Sequence, residues 1–432
     1  MPQKGIRSSR LVLLKNSLLT ESTAHNERNR FDWISLLQAV LSTYVALNAF
    51  GLGFAALLGI ALIPVEMVSD YLQPGLLFSL GLSLIVLGCL LTPSALIGYY
   101  QLRRLPIPGW LRFKGLRGFN WIYLLFLILI LAAGMLLFAW PEVAANLLPF
   151  LSILAICLPI LIYINIGTKD ITSEHPQRHW GVFAFSLAVT PSLIIFVELF
   201  VLSLALVGFS FAASANPELQ RILFNLSQQF SNLAEDPESL LLLLRPLLSQ
   251  PLVVLALFFA FTVIIPIVEE ILKTISVWLL SKRIGSAHEG YVVGIFSGAG
   301  FALMEGLFSL SGFGSGEEWL VLILGRMGGS LLHVFTGGLI GWGLTSTWQE
   351  GRGLKYALSF FSSILVHGLW NGIVLCASVL PIIFSDSEHT VLVNAPFIFY
   401  ILLVLLATGL LIAFTIFSNQ LRTRQKLSRP TN

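Results

Sequence analysis

Glu269, Glu270, Lys273, Glu305, Arg326, His333, His367 and Asn371 are the residues of this chain whose types and spacing could do chemistry, because each interrupts a run that is otherwise as apolar as lipid. An ionised group at bilayer depth costs several kcal/mol unless it has a partner or a water-filled cavity, so such residues mark a site by default. Lys273 follows Glu269 by four residues and Glu270 by three, which places it on one helix face with either carboxylate. One acid is then charge-compensated and the other is left to take up a proton, as a general base must. The spacing does not say which. Pro266, one turn earlier, cannot donate to the carbonyl of Thr262 and predicts a kink with a free acceptor just before the pair. Arg326 and His333 are seven apart and His367 and Asn371 four apart, so each pair shares a face. An imidazole and an amide stacked in this way can donate together to one oxygen, the arrangement of an oxyanion hole. His333, His367 and Glu305 are equally a chemically reasonable zinc set. The cofactor expectation is therefore either none or a divalent metal such as zinc.

These residues need helices to hold them. With 56% hydrophobic and 11% charged residues in 432 and a mean hydropathy of +0.86, the chain is far from the roughly one-quarter charged content of soluble domains. Apolar runs at 33–64, 75–100, 121–140, 147–166, 180–211, 251–280, 291–310, 319–348, 356–384 and 393–417 mostly exceed the ~20 residues that cross a bilayer. The expected fold is an all-α polytopic membrane protein of about ten transmembrane helices. Of 25 Lys and Arg residues, 21 fall in the leader, the tail and alternate connections, which predicts both termini in the cytoplasm of an integral plasma-membrane protein. The basic residues are thus spoken for as membrane flanks, and no nucleic acid partner is expected. Cys89, Cys157 and Cys376 have neither disulfide nor zinc spacing, and the polar leader shows no signal-peptide pattern.

The organisation that follows is a polar cytoplasmic segment 1–32, a membrane region 33–211 of about five spans, an extracytoplasmic connection 212–250, a four-span core 251–384, and a last span with a basic tail, 385–432. In the connection, Leu219, Ile222, Leu223, Leu226, Phe230 and Leu233 recur at helical spacing, which predicts an amphipathic helix at the interface, and Asp236-Pro237-Glu238 reads as a second helix start. Of eight charged or histidine residues within spans, seven lie between Glu269 and His367, and Glu198 is the eighth. Glu198 follows a kink expected at Thr190-Pro191-Ser192 and stands in reserve as a structural partner or a site residue. Counting from the cytoplasmic ends at ~1.5 Å per residue, Glu270, Glu305, His333 and His367 all fall on the order of 18 to 25 Å deep. Four consecutive helices bring them to one layer. Gly294, Gly298, Gly300 and Gly306 around Phe301 predict a close helix approach that carries Glu305 towards the glutamate pair.

At these positions the chain resembles the PrsW family of intramembrane proteases, relatives of the CAAX prenyl endopeptidases. The resemblance rests on Glu269-Glu270-Ile271-Leu272-Lys273, Phe301-Ala302-Leu303-Met304-Glu305, His333 after Arg326, and His367-Gly368-Leu369-Trp370-Asn371. Lys273 and Glu305 are the residues that point to the PrsW branch. Asn371 stands where that pattern often has Asp. The resemblance covers about 251–380. It implies a peptidase acting on membrane-embedded or membrane-proximal protein substrates within the bilayer, with Glu269, Glu270, Glu305, His333, His367 and Asn371 as catalytic residues and Lys273, Phe301 and Arg326 in support. It also implies glutamate-activated water, with or without a metal. A proton- or ion-coupled transporter is the alternative, since Glu, His and Lys at mid-membrane are also the parts of a proton relay. Against it, the first five spans hold no second E-E-x-x-K-like element of a repeated half. A non-catalytic scaffold using the charges as interhelical glue is the third reading.

Overall fold

Apolar runs this long satisfy their backbone polar groups internally only as helices. The computed structural model describes residues 32–62, 74–112, 120–171, 175–230, 244–310, 315–384 and 395–427. The leader 1–31, Leu233, the Asp236-Pro237-Glu238 start and Arg429 lie outside these residues. In chain order the helices are α1 (Trp33–Leu62), α2 (Pro74–Leu102), α3 (Asn120–Leu137), α4 (Pro141–Thr168), α5 (Pro176–Ala188), α6 (Thr190–Ser214) and α7 (Pro217–Phe230). They continue as α8 (Pro251–Phe259), α9 (Ile265–Lys273), α10 (Ile275–Leu279), α11 (Ala287–Phe308), α12 (Gly316–Glu350), α13 (Gly353–Ile383) and α14 (Ala395–Leu427). Among the described residues there are nine candidate membrane spans, with α5 and α6 forming one and α8 to α10 another, and α3 is a shorter apolar helix. The chain is an all-α polytopic membrane protein.

Local sequence explains the joints. The α5–α6 break falls at Val189, next to Thr190-Pro191, as the proline predicts. Ser286 and Ser315 cap α11 and α12 by accepting the N–H of Glu289 and Glu318, each at 3.2 Å. Both follow the Ser-x-x-Glu pattern of a capping box. Gly351 ends α12 with φ of 68°, a left-handed value that glycine adopts freely. In the connection, Asn216 caps α7, and Leu219 is buried against Ala213 and Val253, so the amphipathic helix is present and its apolar face is used.

α11 is the hub, with seventeen of its twenty-two residues buried. One stripe, Gly290, Gly294 and Gly298, lies against the backbone of α12 at Gly341, Gly337 and His333, where a Cβ on any of the three would collide with a carbonyl oxygen. The close approach therefore serves α12 and not α9, contrary to the expectation that these glycines carry Glu305 to the glutamate pair. Another face takes α5: Phe183 O and Leu187 N sit against Gly300, the ring of His179 stacks on Phe296, and Ser186 Oγ bonds Ser297 Oγ at 2.9 Å. α2 joins through Ser83 Oγ, which donates to Leu307 O at 3.2 Å. The main apolar core runs through both halves of the chain, and the smaller cluster around Leu219 is separate from it.

Candidate active site

The helix that carries the glutamate pair is broken on both sides of it. Residues Ala260–Ile264 form a π turn in which Ile265 N–H bonds back five residues to Ala260 O. In that register the donor for Phe261 O would be Pro266, which has no N–H. Asn371 Nδ2 supplies it instead, at 3.1 Å. The free acceptor is thus Phe261 O, one residue before the Thr262 carbonyl that simple helix counting implicates. Thr262 O lies against Gly368, where a Cβ would strike it. Below the pair, Thr274 ends α9 and its hydroxyl folds back on Glu270 O at 3.0 Å.

Glu270 and Lys273 are completely buried and ion-paired with each other. Lys273 Nζ also donates to Thr336 Oγ1 at 2.6 Å and lies 3.4 Å from His333 Nδ1. Glu270 Oε1 also lies 2.8 Å from His367 Nδ1 and accepts from Thr336 Oγ1 at 3.3 Å. An ionised carboxylate only accepts, so the proton of His367 rests on Nδ1 and its Nε2 presents a lone pair. That lone pair faces Glu269 Oε2 at 3.6 Å. Glu269 Oε2 is buried and makes no hydrogen bond, and neither does Glu270 Oε2. Glu269 is the less enclosed of the pair, with 13% of its side chain exposed against 0% for Glu270.

The second centre is on α11 and α12. Glu305 pairs with Arg326, and its Oε2 lies 3.0 Å from His333 Nε2. Phe301, one turn before Glu305, packs edge-on against His333 with centroids 4.8 Å apart. His333 in turn meets His367 edge-on at 5.0 Å, which joins the two centres. Glu305 is the most open of the three carboxylates, its side chain 38% exposed.

Seven of the expected residues come together, namely Glu269, Glu270, Lys273, Glu305, Arg326, His333 and His367, and the depth count accounts for four of them: Glu270, Glu305, His333 and His367. Asn371 is drawn off to the π turn, and its Nδ2 serves the backbone in place of an oxygen shared with His367. Of the zinc candidates His333, His367 and Glu305, the two histidines group with Glu269: ligand atoms from these three all lie within 4.8 Å of one another. Sequence reasoning missed Thr336, which a count of three residues from His333 on the same face would have found. It also missed Ser297, which donates to Lys273 O and anchors the end of α9 on α11. Glu198, on α6, has a buried and unpartnered Oε1, and its charge acts on Glu269 and Glu305.

Three carboxylates face two fixed cations here, so the cluster favours an added proton or metal ion. Two acceptors, Nε2 of His367 and Oε2 of Glu269, opposed across 3.6 Å with no donor between them, make the same demand locally. The Glu270–His367 contact has the form of a carboxylate that orients a metal-binding imidazole. One carboxylate and two imidazoles fit zinc. No curated protein and no solved structure matches the chain significantly. Residues 233–407, which hold every side chain of the cluster except Glu198, match the family model described as PrsW family intramembrane metalloprotease.

Proposed function

We propose that the chain is an endopeptidase that hydrolyses peptide bonds of membrane-embedded or membrane-proximal protein segments at this cluster, with Glu269, His333 and His367 holding a divalent metal such as zinc. The observation that carries this reading is the buried, unpartnered Oε2 of Glu269 facing His367 Nε2 across 3.6 Å. A zinc ion bound there would supply a Lewis acid that makes water acidic near neutral pH. The remaining work falls to the chain itself. Glu270, locked by Lys273 and Thr336, fixes the His367 ring and its tautomer. Glu305, open on one side and steadied by Arg326, takes the proton of the attacking water and returns it to the leaving amine. Arg326 keeps donors in excess of its bond to Glu305 and offers them to the carbonyl oxygen as charge develops on it. Phe301 and Glu305 hold His333 from two sides.

A metal-free glutamic reading has its own support in the same atoms: Glu269, partly open and with an unpartnered oxygen, then acts as the base. In that version His367 and Asn371 would donate to the oxyanion, which requires a second proton on His367, at Nε2, and requires Asn371 to leave Phe261 O. The transporter alternative has no comparable support, since the family match is to a protease. The distribution of Lys and Arg supports cytoplasmic termini.

The test uses purified full-length protein, with metal content and cleavage of a reconstituted single-span substrate measured side by side. Glu269→Gln is expected to lose both metal and cleavage, and Glu305→Gln to keep the metal and lose cleavage. Full cleavage by exhaustively chelated wild type would remove the metal and leave the glutamic reading. Unchanged cleavage in Glu269→Gln, Glu305→Gln and His367→Ala together would remove the peptidase site from this cluster.

A further inference from the structure

Away from the carboxylates, the ends of α1, α2, α5 and α10 enclose a cavity of about 1050 Å³. It is at the upper edge of the roughly 300–1,000 Å³ typical of small-molecule sites. Its inner wall is apolar, formed by Leu37, Leu41, Val45, Leu91, Val182 and Phe185. Its mouth is polar and basic, with Gln101, Arg112, His175, Gln177, Arg178 and Arg283. Arg178 is paired with Glu289, and Asp32 is within electrostatic reach of Arg283. Neither Arg112 nor Arg283 is in an ion pair among the described residues. A site that is apolar inside and cationic at the entrance selects an amphiphile with an anionic head.

The segments that adjoin the cavity lining in sequence carry the same sign. Residues 1–31 carry six Lys and Arg against two Glu, and residues 113–119 add Lys114 and Arg117 with no acid. Segments of that net charge are poorly matched to an arginine-bearing lining, whereas an anion complements it. Basic pockets between transmembrane helices commonly take phospholipid head groups. We infer that this cavity is a binding site for an anionic phospholipid, with its phosphate at Arg112 and Arg283 and its acyl chains along Leu41, Val45 and Phe185. The inference is independent of the peptidase reading. Even so, the cavity and the site are neighbours: Ser276 on the cavity wall bonds Ser297 Oγ at 2.9 Å, and Ser297 holds Lys273 O.

The experiment is native mass spectrometry of the full chain released from detergent with phosphatidylglycerol, with phosphatidylcholine of the same acyl chains, or with inorganic phosphate. Two guanidinium contacts predict roughly a tenfold or greater preference for phosphatidylglycerol over phosphatidylcholine. Arg112→Ala with Arg283→Ala is expected to remove most of that preference, and the Arg→Lys pair to keep it. Leu41→Trp, which adds bulk to the cavity lining, is expected to weaken both lipids, and phosphate alone to leave the adduct in place. Gel filtration and melting confirm that each variant folds. Equal retention of the two lipids would mark an annular lipid only. Displacement by phosphate would mark a free-anion site. Protease protection of residues 1–31 that Leu41→Trp removes would make the leader the occupant. Any of these outcomes overturns the proposal.

Discussion

Lys273→Met is the sharpest test of how the cluster is held. The substitution keeps the apolar stem and deletes the charge, leaving Glu270 with no exposed surface and no cation. Removing one partner of a buried ion pair costs about 3–5 kcal/mol, because the other charge stays buried and unpaired. Glu270 keeps two contacts in this variant, His367 Nδ1 at 2.8 Å and Thr336 Oγ1 at 3.3 Å, so the expected loss is at the lower end, about 3 kcal/mol. Adding Glu270→Gln removes the orphaned charge and should restore stability to within about 1.5 kcal/mol of wild type, well short of the sum of the two single losses. The assay is reversible unfolding in mixed micelles, followed by tryptophan fluorescence for wild type, both single variants and the double. Additive losses, with no coupling between the two sites, would refute the claim that the pair is held by mutual charge compensation.

Other substitutions probe the scaffold. Gly298→Val puts a side chain where His333 O sits, and should cost about 1–3 kcal/mol by overpacking while abolishing cleavage. Gly325→Ala, facing open space on the neighbouring helix, should leave the melting curve unchanged or raise it slightly. Asn371→Ala leaves Phe261 O without its side-chain donor and should lose about 1–3 kcal/mol. If the missing proline N–H is the cause, Pro266→Ala in that background should recover most of the loss, and thermal melts of the four proteins decide it. Phe301→Ala frees one side of His333 and should lower kcat more than KM in the cleavage assay.

What could be read from the sequence divides along a physical line. Charges in apolar runs announce both the helices and the presence of a site, because desolvation is a property of the residue and its immediate neighbours. Depth is also local, since rise per residue is constant, and counting predicts one layer for Glu270, Glu305, His333 and His367, whose side chains meet in the structure. A layer does not name partners, however. Which group faces which depends on the rotation of each helix about its axis, and that is set by packing elsewhere. The glycine stripe at 290, 294 and 298 turns α11 towards α12, so Glu305 meets His333 and Arg326 while Glu269 is left to face His367. Asn371 is lost to the site for a similar reason. Its stacking on His367 is a correct reading of one helix, but the π turn on another helix creates a stronger claim on its amide. The first five spans show the same limit most plainly. They hold almost no ionisable residues, and their contribution is invisible in a search for chemistry. Yet α5 supplies the wall against which α11 is fixed, through Phe183, Ser186 and His179, and Ser186 meets the same Ser297 that fixes Lys273 O. The position of the site's lysine is therefore determined in part by a helix that carries none of the motif, which is why residues 233–407 hold nearly all of the chemistry but not all of the structure that aims it.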